Sequence, residues 1–307
     1  MKICVLAGAA IALATAASIA NAGTVRVFYT PFQAGNGGEF RVVNVAGNAG
    51  ERGMASDITS AHSYNLQGGD GSTAGYASND DFQTFCIERN ENVSNNTLYT
   101  FQVESASRNG GYFGGNPDPI GNATAWIYTQ FRQGTLGQYA YNGGGVAATA
   151  GIFAATEGFS TWSQSAGAGD NDQEARRERA ARTLQTAIWF LEGELRQTSN
   201  ASLQLTTLPG TVPASNDRSN PNGLNQAEWN QLIAWVNAAN ASNFVNTTVM
   251  ALNIRSFTDV NNNGRYDDGD ILGDLAQSQL TLIPLPTASG LALAGLGGLA
   301  LRRRRIG

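Results

Sequence analysis

The chain has 307 residues, with 24 Asp and Glu against 19 Lys and Arg. Lys2 and four terminal arginines lie in end segments, so the body between them holds 14 basic residues and a charge of about −10, which argues against nucleic acid as a partner. Lys2 is the only lysine and Cys86 the only cysteine beyond Cys4, so the body has neither a Lys–Asn isopeptide staple nor a disulfide.

Residues 1–22 read as a signal peptide: Lys2 supplies the positive start, residues 3–19 the apolar stretch and Ala20-Asn21-Ala22 the cleavage site. Roughly 260 residues then remain, for one domain of ordinary size or for a domain with a small appendage. Residues 24–30 and 39–45 alternate apolar with polar side chains, as half-buried strands do. Residues 46–80 are rich in Gly, Ser, Asn and Asp and predict a long loop holding His62, the only histidine. Residues 81–88 predict a strand with Phe85 and Ile87 on one face and Phe82, Thr84, Cys86 and Glu88 on the other, paired with a strand over 98–103.

Residues 123–131 are aromatic and helical in pattern, and 134–170 return to Gly, Ala and Ser. The next helix starts with a capping box of Asn171 and Glu174, and Leu184, Ile188, Leu191 and Leu195 recur at helical spacing. Residues 176–182 read as its solvated charged face, with Glu178 four residues before Arg182. Gln185 flanks the apolar stripe, and Trp189 follows one turn later on the same side. A second helix is capped by Asn225 and Glu228, with Leu224 and Trp229 as a hydrophobic staple and Trp229, Leu232, Ile233 and Val236 as its buried face. A strand over 247–256 closes the expected domain at 23–256. The fold class this predicts is α+β, a β-rich domain with a segregated helical part.

Residues 257–274 carry a metal-loop pattern. Asp259, Asn261, Asn263, Asp267 and Asp270 fall at loop positions 1, 3, 5, 9 and 12, Gly264 falls at position 6, and Arg265 offers its carbonyl at position 7. Short oxygen-bearing side chains around a permissive turn suit a hard cation, and calcium is the expected structural cofactor. The loop resembles dockerin-type and EF-hand-like loops, with aspartate at position 12 as in dockerin repeats. A single copy argues against a cohesin-binding pair. The other reading is a polar turn without metal.

Residues 283–307 form the tail. Pro284-Leu285-Pro286 leads into a Gly/Ala/Leu run and then Arg302, Arg303, Arg304 and Arg305. The apolar stretch 283–301 has the length of a short membrane-crossing helix, with the arginine cluster cytoplasmic. This tail resembles the sorting signals of PEP-CTERM proteins, which implies processing by an exosortase-type protease. Leucine stands where the name-giving motif has glutamate, which implies a variant protease. A plain C-terminal membrane anchor is the alternative.

An unpaired cysteine in an exported protein needs protection from oxidation. A bond from the Cys86 sulfur to the side-chain carbonyl carbon of Gln185, with loss of ammonia, would provide it and leave an activated acyl group. The absence of lysine from the body removes one internal quencher of such a group, although arginine-biased residue usage is the simpler account of it. Phe85-Cys86-Ile87 and Leu184-Gln185-Thr186-Ala187-Ile188-Trp189 resemble the thioester domains of bacterial surface adhesins. Ala125-Trp126-Ile127-Tyr128 and Trp189-Phe190-Leu191-Glu192 also resemble PEP-CTERM proteins carrying the same Cys and Gln motifs. The resemblance implies a non-enzymatic adhesive or crosslinking protein that bonds to a nucleophile on a surface or polysaccharide. The rival readings are a non-reactive matrix component with a buried free cysteine, and a cysteine hydrolase using Cys86 and His62.

Overall fold

The computed structural model describes residues 23–34, 37–44, 81–140 and 171–282, apart from residues 109, 114, 216 and 268. The expected signal peptide, the loop with His62, the Asn171 and Glu174 side chains and the tail from residue 283 lie outside the described residues. Elements follow in the order β1 (Gly23–Ala34), β2 (Gly37–Asn44), β3 (Asp81–Thr84), β4 (Thr97–Glu104), β5 (Ala106–Ser107), β6 (Asp118–Pro119), α1 (Asn122–Gln133), α2 (Asn171–Leu191), α3 (Gln226–Ala241), β7 (Val249–Thr258), β8 (Ile271–Leu275) and β9 (Gln279–Leu282). Among the described residues no helix is long and apolar enough to cross a membrane.

The alternation along β1 and β2 produces an antiparallel hairpin, Val25 opposite Asn44, with Val25, Val27, Phe40 and Val42 buried. β3 adds to β2, β4 to the other side of β1, and β7 to β4, all antiparallel. β8 and β9 both lie along the free edge of β7, at its two ends. The chain just beyond β3 then meets β9. Leu280 N–H donates to the Phe85 carbonyl at 3.1 Å, Ile87 N–H donates to the Ser278 carbonyl at 3.0 Å, and Cys86 bridges Gln279. Thr84 Oγ1 also donates to the Leu280 carbonyl at 2.6 Å, and the Tyr128 hydroxyl of α1 lies 3.0 Å from the same oxygen. The protein is therefore a mixed α and β fold with a β-rich, nearly closed sheet, and Cys86 sits on the closing seam.

Two cores follow from this arrangement. Phe85 and Ile87 join residues of α1, α2 and α3, among them Ile127, Leu184, Ile188 and Trp229. Cys86 joins the strand residues Val25, Val27, Phe40, Val42, Phe82, Tyr99, Phe101, Leu252 and Ile254. The alternation around Cys86 is what splits it from its neighbours. In chemical terms, the sulfur faces the strands while the flanking bulk faces the helices.

Several expectations change. The strand over 98–103 forms as β4, but its partners are β1 and β7 and not β3. The sheet runs on past the expected limit at residue 256, because β8 and β9 pair with β7 after the acidic loop. The expected solvated face of α2 is also overturned: Arg177, Arg179 and Arg182 are buried. The helix packs on β1 and β2 on one side and on α3 on the other, so its cations must find partners inside. Arg177 pairs with Glu39 of β2 at 2.6 Å, while Arg179 and Arg182 pair with Glu228 of α3 at 2.8 and 2.7 Å. Leu195 lies beyond the end of α2 yet is buried, because the chain turns back after Leu191. The capping box of α3 forms as expected, Glu228 N–H donating to Asn225 Oδ1 at 3.0 Å. On its buried face Trp235 joins Trp229, Leu232 and Val236, and Ile233 is only partly buried.

Candidate functional site

The structure brings Cys86 and Gln185 together. Ala180, Ala181 and Ala187 of α2 are fully buried, in the core shared with α1 and α3. Gln185, in the middle of that helix and 0% exposed, points its carboxamide at the backbone of Cys86. Cys86 N–H donates to Gln185 Oε1 at 3.0 Å, and Gln185 Nε2 donates back to the Cys86 carbonyl at 2.8 Å. A second backbone donor, Gly38 N–H, reaches the same Oε1 at 3.4 Å. An unpaired buried amide would cost about 1–3 kcal/mol, so this two-point contact fixes the side chain in one pose.

The pose depends on Gly37. A Cβ there would lie 2.8 Å from Gln185 Cγ and 2.8 Å from Trp189 Cη2, closer than side-chain atoms approach. Trp189 is buried against this glycine, its indole N–H has no partner among the described residues, and the Arg89 guanidinium lies 5.9 Å from its ring centre. Trp189 thus shares the Gly37 contact with Gln185, as its spacing one turn along α2 predicts.

The sulfur has its own partner. Gln279 Nε2 donates to Cys86 Sγ at 3.3 Å, and Gln279 Oε1 lies 3.8 Å from it. Burial pushes the Cys86 thiol well above its ordinary range; the Gln279 hydrogen bond pulls it down, and Glu88 and Glu91 push it further up. If sulfur adds to the Gln185 carbonyl carbon, the oxygen that gains charge already faces the N–H groups of Cys86 and Gly38, as an oxyanion requires.

Sequence reasoning missed Gly37, Gly38 and Gln279. Gln279 could have been found, since Gln279-Leu280-Thr281-Leu282 alternates as a strand does. Also missed were two buried carboxyls, Glu88 beside the seam and Glu192 against the start of α1. Burial, with Glu91 adding to it, lifts Glu88 to about 10, and burial lifts Glu192 to about 7. Glu88 Oε2 accepts Ser278 N–H at 3.2 Å, while its Oε1 has no partner among the described residues.

The expected calcium ligands lie apart from this site, in the connection between β7 and β8. Gly264 has φ +77°, the turn that position 6 demands. The Asp259 carboxylate accepts N–H from Asn263 at 3.1 Å and Gly264 at 2.6 Å, and the Asp270 carboxylate accepts N–H from Val260 and Asp267, each at 2.9 Å. Asn261 and Asn263 turn their amide nitrogens to the Asp267 carboxylate and their oxygens to backbone N–H groups. The residue types and the Gly264 turn fit a hard cation, and the two amides must rotate to offer it oxygen. Among the described residues no group of three His, Cys, Asp or Glu side chains is drawn together for a metal.

No family model, no curated protein and no solved structure matches this chain.

Proposed function

We propose that this is an exported surface or matrix protein of the thioester-domain type, in which Cys86 and Gln185 form an internal thioester that couples covalently to a nucleophile on a target surface or polysaccharide. The nearly closed sheet is the β-rich part of the α+β domain, and α1, α2 and α3 are its helical part. The observation that carries the reading is the fully buried, two-point contact between the Gln185 carboxamide and the Cys86 backbone. Sulfur adds to the carboxamide carbon, an S–C bond forms, the C–N bond breaks, and the thiol proton leaves with ammonia. Each molecule makes the bond to its target once, so no turnover is implied.

Export rests on the signal peptide in residues 1–22. Retention rests on Pro284, Pro286 and the arginines at 302–305, with an exosortase-type protease and the membrane as partners. Calcium, held by Asp259, Asn261, Asn263, Asp267, Asp270 and the Arg265 carbonyl, stiffens the connection between β7 and β8.

The second reading is a non-reactive structural component of an extracellular polymeric matrix. It is favoured by the satisfaction of both polar atoms of Gln185, which is all that a structural buried glutamine requires. Methylamine separates the two. Folded protein exposed to it should carry a methylamide on Gln185 and a newly free thiol on Cys86, read by peptide mapping. An unmodified Gln185 beside an unchanged thiol contradicts the proposal.

A further inference from the structure

The partner of the sulfur comes from the last described strand. Gln279 opens β9, is 0% exposed, and bridges Cys86 through its backbone as well as through its side chain. Its carboxamide orientation is fixed independently of the sulfur, because Nε2 donates one hydrogen to the Gln277 carbonyl at 3.1 Å. The other hydrogen of the same nitrogen is the one directed at Cys86 Sγ, 3.3 Å away. Gln185 and Gln279 therefore approach Cys86 at different atoms. Gln185 engages the Cys86 peptide, and Gln279 engages the sulfur.

Resting on the thioester reading, we infer that Gln279 is a catalytic residue of both bond formation and bond opening, acting as the hydrogen-bond donor to sulfur whenever sulfur carries negative charge. During formation the sulfur must become thiolate-like before it adds to the Gln185 carbonyl carbon. The surroundings oppose this, because Cys86 is fully buried and a thiolate there loses its solvation. Gln279 supplies the one side-chain donor directed at Sγ among the described residues. During opening the target nucleophile adds to the same carbon, the S–C bond breaks, and the departing sulfur again bears charge until it takes up the proton that the nucleophile releases. One donor thus serves the attacking sulfur and the leaving sulfur, as reversibility requires.

The placement has a consequence for folding. Sγ acquires its donor only when β9 has docked on β7 and on the chain beyond β3, so bond formation follows closure of the sheet. A chain still lacking residues 279–282 has no such donor at Sγ.

The test follows re-formation of the bond. Full-length protein is opened with ammonia, which regenerates Cys86 and Gln185, freed of ammonia, and followed by intact mass across a range of pH. Gln279→Leu should re-form the bond about a hundredfold more slowly than wild type, the order expected for loss of one donor to a developing charge, and should recover as pH rises. Gln279→Glu keeps the shape, donates only while protonated, and should lose activity as pH rises, the opposite trend. Wild-type rates and pH profile in both variants would overturn the inference. If wild type itself never loses ammonia, the thioester reading fails. The role of Gln279 is then decided in the Gln185→Ala background by thiolate absorbance: a higher pH for thiolate formation on adding Gln279→Leu sustains the donor, and an unchanged one overturns it.

Discussion

Gln185 is held by contacts that any larger residue at position 37 would disturb. Adding a methyl group at Gly37 places it 2.8 Å from both Gln185 Cγ and Trp189 Cη2. Gly37→Ala should therefore destabilise the fold by about 1–3 kcal/mol, measured by urea unfolding, and should lower the fraction of molecules carrying the bond, measured by intact mass. Glu192 makes a separate prediction about pH. Its carboxyl is lifted from 4.5 to about 7, first by burial, against the hydrogen bond it accepts from the Gly121 N–H. The unfolded chain releases this proton near 4.5 and the folded chain near 7, so the folded state holds more protons between them and stability falls as pH rises. The loss is on the order of 3 kcal/mol at most and is complete above about 7. Glu192→Gln should flatten that part of the stability profile and leave the further decline that Glu88 produces toward about 10. Residue types alone showed Cys86 and Gln185 because their flanking motifs are distinctive. Gly37, Gln279 and the buried carboxyls were not legible, since their roles arise from what other segments bring against them.

At the scale of elements, α2 determines how the site is braced. Arg177 is buried against Glu39, so Arg177→Ala leaves an uncompensated carboxylate inside and should cost about 3–5 kcal/mol in chemical denaturation. Local signals placed β1, β2, α1 and α3 well, because alternation and the Asn225 capping box are properties of neighbouring residues. They misjudged the first half of α2, where a run of arginines looks identical whether it meets water or buried glutamates. They also gave β4 the wrong partner, since pairing across the sheet depends on residues far away in sequence. The β7–β8 connection carries its own prediction: calcium at ten times its Kd should stabilise the fold by about 1.4 kcal/mol, seen as a modest rise in Tm, and Asp259→Ala should erase the rise. Unchanged Tm and unchanged protease sensitivity near Gly264 in millimolar calcium would reduce the loop to a polar turn.

Across the whole molecule, a seam joins the first third of the described chain to its end. β9 meets the chain beyond β3 at Phe85, Cys86 and Ile87, so the proposed chemistry and the closing of the sheet share the same residues. Deleting residues 283–307 should leave Tm unchanged while releasing the protein from cells, whereas deleting 276–307 should also remove Leu280 and Gln279 and lower Tm sharply. Equal Tm for the two truncations would show that β9 does not close the fold. The central claim, a bond between Cys86 and Gln185, meets its most direct test in the intact mass of freshly purified folded protein. The mass should be lighter than the sequence by one ammonia, the thiol should resist alkylation until the protein is unfolded in the presence of a nucleophile, and Cys86→Ala and Gln185→Ala should each lose that deficit. A full sequence mass with a thiol that alkylates in the folded wild type would contradict it.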